Sequence, residues 1–117
     1  MRKGDPSDVP PVERRPLQRK RVLLGGIITY ASGAHSFACT FRNLAASGAR
    51  INIGRDMQFP SEFYLINVKD QLAHEAKVIW NNGTEVGVEF KQTFQVDKIT
   101  DPAVSFLKAL WLSKAPR

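Results

Sequence analysis

Short segments of alternating apolar and polar residues fill the chain from Val22 to about residue 95, with turn residues between them. Alternation with a period of two puts every second side chain on the same face of a β-strand, so each segment is predicted to bury one face. At least six such segments occur, separated by turns every eight to twelve residues. Many short strands at this spacing indicate an all-β fold, either an antiparallel barrel or a closed sandwich.

The clearest strand pair is a late hairpin around the turn residues Asn81, Asn82 and Gly83. The strand before the turn is predicted to present one apolar face, made of Leu72, His74, Ala76, Val78 and Trp80. The strand after it is predicted to face inward at Val86, Val88 and Phe90.

Two earlier segments are also strand-like. Phe37, Cys39 and Phe41 alternate with more polar neighbours and are predicted to face inward. In the segment before them, the pair Gly25 and Gly26 predicts a bulge or a sharp bend.

The two ends of the chain differ from this barrel region. Residues 1–13 hold three prolines, a glycine and mixed charge, which predicts a disordered tail. Near the other end, Asp101 followed by Pro102 is typical of a helix start, and one helical face carries Val104, Leu107, Leu110 and Trp111. We therefore predict a single domain at 14–115, consisting of a basic segment at 14–21, a barrel at 22–95 and a C-terminal α-helix at 101–113.

The net charge of the chain limits the kinds of molecule that the protein is expected to bind. Lysine and arginine outnumber aspartate and glutamate by 17 to 11, which gives a net charge of +6. A basic protein suits a nucleotide, a nucleic acid or a phospholipid surface, and charge alone does not choose among them. The single cysteine excludes an internal disulfide, and neither a signal peptide nor a membrane span is evident. We expect a cytoplasmic protein without membrane insertion.

Patterns typical of catalysis are missing from the sequence. His35 and His74 lie far apart and belong to no metal-ligand spacing, and His74 alternates with apolar residues as a structural histidine would. Cys39 lies on an apolar strand face, where a small buried side chain is the ordinary interpretation. No glycine-rich phosphate-binding loop is present. These observations argue against an enzyme and predict neither a cofactor nor a metal.

A basic run precedes the first strand and carries five cationic residues in eight positions: Arg14, Arg15, Arg19, Lys20 and Arg21. Pro16 disfavours helical geometry at Arg15, so the run is predicted to be extended. Such clusters are commonly solvated tails or general nucleic-acid contacts. A guanidinium can also bind phosphate through two hydrogen bonds, pair with a guanine edge and stack on a base.

A second feature follows some twenty residues later, where Asn43 and Gly48 suggest a tight corner between two strands. Both residue types tolerate positive φ, which explains such a corner without any ligand. If the corner binds a ligand, Asn43 would point its amide at a base edge and Gly48 would let backbone approach the ligand.

Together the basic run and the corner resemble the two sequence motifs of the PilZ family, whose members are receptors for the bacterial second messenger cyclic di-GMP. The family pattern is RxxxR on an N-terminal tail, then (D/N)xSxxG at a turn between two strands of a six-stranded antiparallel barrel. Here residues 15–19 read RPLQR and residues 43–48 read NLAASG. The hairpin from Ala76 to Phe90 is similar to the family's late strands. The resemblance covers about residues 13–95.

The resemblance implies roles for the site residues. Arg15 and Arg19 would bind the phosphates and guanine faces of cyclic di-GMP. Asn43 would hydrogen-bond a guanine edge, and Gly48 would keep the turn open. Further candidates for ligand contact are Ser47 and Arg14, although Arg14 matches no motif position, like Lys20 and Arg21, and is expected to contribute mainly general positive charge.

The chain departs from the family pattern at Ala45, where the motif has a serine. A neutral hydrogen bond contributes about 1 kcal/mol, or about fivefold in affinity. A bond to a charged phosphate contributes more, about 1.5–3 kcal/mol. Ser47 lies two residues further on and is a candidate to compensate.

Three hypotheses follow from these patterns. The preferred one is a non-enzymatic cyclic di-GMP receptor that passes the signal to a downstream protein partner. The alternative, motivated by Ala45, is a degenerate PilZ-like protein-interaction module that does not bind the nucleotide. A barrel that binds single-stranded RNA or DNA is the third, and it lacks an evident aromatic stripe on an exposed strand face. We therefore expect no DNA or RNA partner.

Overall fold

The computed structural model describes residues 20–114. Six strands are present: β1 (Lys20–Tyr30), β2 (His35–Ala45), β3 (Gly48–Asn52), β4 (Glu62–Asn67), β5 (Leu72–Asn81) and β6 (Glu85–Gln95). Short 3₁₀ helices lie at Ala31–Gly33, Val96–Lys98 and Pro102–Val104, and one α-helix, α1, follows at Ser105–Lys114. The predicted disordered tail and the basic residues Arg14, Arg15 and Arg19 lie outside the described residues.

The six strands form one closed antiparallel barrel. Their order around the barrel is β1–β2–β3–β6–β5–β4, and pairing of residues 26–29 with residues 64–67 closes the ring between β1 and β4. A closed ring removes the unpaired sheet edges that a sandwich would keep. The predicted six-stranded antiparallel barrel with a C-terminal helix is confirmed.

The barrel interior holds the larger of two hydrophobic clusters. Most of the residues that alternation predicted to face inward belong to it or pack against it, among them Phe37, Cys39, Phe41, Ala76, Val78, Val86, Val88 and Phe90. Ile28 and Leu65 join them from β1 and β4, and both are fully buried. Period-two alternation therefore identified most of the inward-facing residues of β2, β5 and β6.

A second cluster lies on the outside of the barrel, under the C-terminal helix. Ile27 and Ile66 contribute to it from β1 and β4, and Leu107 contributes from α1. Since Ile28 and Leu65 face the interior, β1 and β4 are buried on both faces. This double burial explains why the chain from Gly26 to Ile28 is continuously apolar instead of alternating.

The C-terminal helical segment is capped at its start and hydrogen-bonded to the chain after β4 near its end. Asp101 caps the start, because its Oδ1 accepts a hydrogen bond from the Ala103 backbone N–H at 2.9 Å. The α-helix begins at Ser105 rather than at residue 101, since a 3₁₀ turn at Pro102–Val104 comes first. Further along, the Trp111 indole donates to the Val68 carbonyl at 3.0 Å. No helix within residues 20–114 has the length and apolar content needed to cross a membrane.

The bulge predicted at Gly25 and Gly26 is wrong. Both glycines pair in regular register with β2, and the irregularity of β1 lies between Arg21 and Leu24. A Cβ on Gly26 would lie 2.8 Å from the Phe41 ring. The glycine is needed because a core side chain occupies the adjacent space.

His74 is a structural histidine, as alternation predicted. Its side chain is 5% exposed and stacks on Phe90 with ring centroids 3.8 Å apart. Nδ1 lies 2.8 Å from the Thr93 hydroxyl, while Nε2 is buried without a hydrogen-bond partner among the described residues. Burial lowers the pKa of His74 to about 4, because the protonated ring would lose its hydration.

Acid should destabilise the protein through His74. Its pKa is about 4 in the folded protein, against 6.5 for an exposed ring. Above pH 6.5 the ring is neutral in both the folded and the unfolded protein, and no stability is lost through protonation. As the pH falls toward 4, the unfolded protein binds a proton at His74 before the folded protein does, so the free energy of unfolding decreases. The decrease between pH 7 and pH 4 is roughly 3 kcal/mol. Urea unfolding at the two pH values measures it. His74→Leu should lessen the difference by most of this amount; the same pH dependence in this variant as in the wild type would contradict the assignment.

Candidate functional site

Four residues of the predicted corner lie close together at the junction of β2 and β3. Asn43 and Ala45 belong to β2, Ser47 to the turn, and Gly48 is the first residue of β3. Lys20, where the described chain begins, pairs with β2 one residue before Ala45. The predicted ligand contacts Arg14, Arg15 and Arg19 precede Lys20, outside the described residues.

An extra residue in β2 decides which way Asn43 points. Phe41 faces the interior, and strict alternation would turn Asn43 inward as well. The register against β3 shifts between these two residues, which leaves Arg42 as a bulge. Beyond the bulge Leu44 packs against the interior, opposite the buried Ala49. Asn43 therefore lies on the outer surface of the barrel.

The corner is tighter than the motif suggested. Ala45 pairs directly with Gly48, so Ala46 and Ser47 alone form the turn. Gly48 does not have positive φ, so the interpretation of a glycine required for the turn is wrong. A Cβ on Gly48 would collide with the carbonyl oxygen of Val88. Gly48 is needed because β6 approaches β3 closely there.

Trp80 belongs to the outer surface, whereas alternation placed it inside. Val78 packs against the interior, and the register against β6 then shifts, with Ile79 as the extra residue. Trp80 consequently pairs with Gly87 and is 40% exposed. Its indole covers Gly87, since a Cβ there would collide with the ring. The glycine in the partner strand is the sequence signal that could have revealed this position.

Cross-strand register brings four residues into one line, which we call the outer row: Asn43, Arg50, Gly87 and Trp80. Asn43 pairs with Arg50, Arg50 with Gly87, and Gly87 with Trp80. Directly opposite residues of antiparallel strands share a face and lie about 5 Å apart. An amide, a guanidinium and an indole are thus presented side by side. The first two can hydrogen-bond a base edge or a phosphate, and the indole can stack on a base.

Glu85 lies between two arginines beside the outer row. Its Oε1 is 3.7 Å from Nε of Arg50, and its Oε2 is 3.9 Å from Nη1 of Arg42. Both distances exceed hydrogen-bonding range, so the contacts are ion pairs without a hydrogen bond. Arg50 Nε is buried and has no hydrogen-bond partner among the described residues.

The described residues contain neither a reactive thiol nor a cluster of metal ligands. Burial raises the pKa of the Cys39 thiol to about 12, so the thiol stays protonated and unreactive at neutral pH. Within residues 20–114 no group of three or more His, Cys, Asp or Glu side chains could hold a metal ion.

A separate cleft of about 280 Å³ lies between the β1–β2 turn, β4 and the start of the C-terminal helix. Tyr30, Tyr64 and Phe106 line it, together with the carboxylates of Glu62 and Glu75. Two carboxylates disfavour an anionic ligand. The outer row is therefore the better candidate for binding an anion.

Alanine at the two close-packed glycines should have unequal effects. Gly48→Ala sets a Cβ against the Val88 carbonyl, which cannot move without disturbing β6, so the free energy of unfolding should fall by about 1–3 kcal/mol. Gly87→Ala meets the exposed Trp80 indole, which can swing into solvent, so the loss should stay below about 1 kcal/mol. Urea unfolding measures both changes.

Fluorescence provides the control for this comparison. In a Trp111→Phe background, Gly87→Ala should shift Trp80 emission to longer wavelength, while Gly48→Ala should leave it unchanged. Equal destabilisation by both substitutions, with no spectral change, would contradict the described positions of the two glycines.

Comparison with known proteins assigns the chain to a family. The model of the PilZ domain family matches residues 13–101, which include all six strands and both sequence motifs. A comparison with curated proteins finds no match. Because the matched region is most of the chain, this protein belongs to the PilZ domain family.

Proposed function

We propose that this protein is a non-enzymatic receptor for cyclic di-GMP, with Arg15 and Arg19 closing over a ligand held on the outer row. Membership of the PilZ domain family carries the proposal, because it is a family of cyclic di-GMP receptors. No enzymatic step, cofactor or metal is part of the proposed function.

The chemistry of the outer row suits this ligand. Cyclic di-GMP carries two negative charges and two guanines. Asn43 offers an amide for a guanine edge, and the exposed face of Trp80 offers a surface on which a guanine can stack. Ser47 and Gly48 complete the proposed contacts at the corner. Trp80 is an addition to the site inferred from the sequence motifs.

The point where the tail joins the barrel supports the role of the arginines. Lys20 pairs with Leu44, next to Asn43 in β2. Arg15 lies five residues before Lys20, and an extended chain of that length spans about 17 Å. The tail is therefore long enough for Arg15 and Arg19 to reach over the outer row, with Arg14 as a further candidate.

Ligand binding would hold the arginine tail against the barrel and change the surface offered to a downstream protein partner. We place this signalling in the cytoplasm and propose no nucleic-acid partner. Trp80 is the one large aromatic side chain that is exposed within residues 20–114, and a single indole does not provide a platform for successive bases.

Calorimetric titration with cyclic di-GMP tests the proposal. The wild-type protein should bind at micromolar concentrations or below, and Arg15→Ala with Arg19→Ala should weaken binding at least about tenfold, because charged hydrogen bonds to phosphate are lost. The control is Arg55→Ala with Lys98→Ala, which removes two positive charges from exposed positions away from the corner. No wild-type binding at tens of micromolar would overturn the proposal and leave the nucleotide-independent interaction module.

Restoring the motif hydroxyl should strengthen binding. Ala45 is two residues from Asn43 and shares its outer face, so a serine hydroxyl there can reach the same ligand. Ala45→Ser should tighten the dissociation constant about fivefold. Ala46→Ser adds the same hydroxyl in the exposed turn and should change little. If the two variants bind alike, Ala45 does not border the ligand.

A further inference from the structure

Arg50 occupies the centre of the outer row, although no motif position includes it. It pairs with Asn43 on one side and with Gly87, under the Trp80 indole, on the other. Its side chain is 32% exposed, and its buried Nε has no hydrogen-bond partner among the described residues. A buried donor of this kind costs free energy unless it is paired.

We propose that Arg50 is a third ligand-binding arginine, and that Glu85 is an internal counter-ion which the anionic ligand displaces. This inference rests on the proposed function, because it assigns the arginine that the barrel itself contributes to the cyclic di-GMP site. It also gives the Glu85 carboxylate a role, because competition with the ligand for Arg50 would set the affinity for cyclic di-GMP.

The position of Arg50 makes it suitable for this role. β3 lies between β2 and β6 and is paired along both edges, so the backbone under Arg50 is fixed. The guanidinium is consequently presented from a rigid strand. A rigid strand loses less conformational entropy when the ligand binds.

Glu85 is a weak partner for the guanidinium. It is shared between Arg42 and Arg50, and both of its ion pairs are longer than a hydrogen bond, at 3.9 and 3.7 Å. All three side chains are partly exposed, so solvent screens the attraction. A phosphate group can instead accept two charged hydrogen bonds from an arginine at about 2.7–2.9 Å. Exchange of the carboxylate for a phosphate is therefore favourable for Arg50.

The same geometry predicts that Glu85 weakens ligand binding. Its negative charge repels a dianionic ligand, and its ion pair with Arg50 must break before the guanidinium is available. Removing the carboxylate charge should therefore increase affinity. Removing the guanidinium should decrease affinity and also abolish most of the effect of Glu85.

The experiment is a double-mutant cycle measured by calorimetry with cyclic di-GMP. Arg50→Gln should weaken binding about tenfold or more, and Glu85→Gln should tighten it about two- to fivefold. In the Arg50→Gln background, Glu85→Gln should have less than half of that effect. Two controls remove one charge of each sign elsewhere, Arg55→Gln in the β3–β4 loop and Glu75→Gln in the separate cleft, and should change affinity less than twofold.

A second measurement does not depend on the folding of variants. In wild-type protein labelled with ¹⁵N, the Nε–Hε resonance of Arg50 should shift when cyclic di-GMP saturates the protein.

Circular dichroism should show that Arg50→Gln and Glu85→Gln keep the β-barrel spectrum.

The outcomes separate this inference from the proposed function. Wild-type binding with an unchanged Arg50 resonance, and with wild-type affinity in Arg50→Gln, would overturn the role of Arg50 and leave the receptor function intact. Weaker binding in Glu85→Gln would overturn the role of Glu85 as a competitor. Absence of wild-type binding would overturn both proposals together.

Discussion

Successive side chains of a β-strand point to opposite faces, so one extra residue reverses every side chain beyond it. The candidate site depends on two such residues, Arg42 in β2 and Ile79 in β5. Without them, Asn43 would continue the inward pattern of β2 and Trp80 the inward pattern of β5. A polar amide in the barrel interior would lack partners, and the outer row would lose both of its ends. The bulges thus allow a sheet whose strands bury apolar groups to present polar and aromatic groups on its outer surface.

Packing of the C-terminal helix determines which part of the outer surface of the barrel remains exposed to solvent. The C-terminal helix covers the outer faces of β1 and β4 through Ile27, Ile66 and Leu107. The outer row lies on β2, β3, β6 and β5, and none of its four residues belongs to the hydrophobic cluster under the helix. Closure of the barrel fixes the relation between the two surfaces, because each strand is paired on both edges. A covered structural face and an exposed polar face therefore coexist on a small domain.

Charge is distributed unevenly over these surfaces. The chain has a net charge of +6, yet the cleft beside the helix contains Glu62 and Glu75. Beside the outer row, one carboxylate, Glu85, faces two arginines. An excess of cationic groups around a polar, aromatic surface attracts an anion, and a local carboxylate moderates that attraction. For the proposed ligand, the absence of a hydroxyl at Ala45 would act in the same direction as the Glu85 carboxylate.

Sequence alone predicted at least six strands, the late hairpin, the capping residue Asp101 and the two motifs, because these are local patterns of periodicity, turn chemistry and capping. It placed Asn43 in the site but gave no reason why its side chain should face outward, and it placed Trp80 on the wrong face. Bulges depend on register between strands far apart in the chain, and strict alternation contains no information about that register. The same limit applies to Gly48, which is required by the approach of β6 rather than by its own turn. Only the tertiary structure brought Arg50 next to Glu85 and into line with Asn43 and Trp80, since cross-strand pairing, not sequence separation, decides which side chains meet.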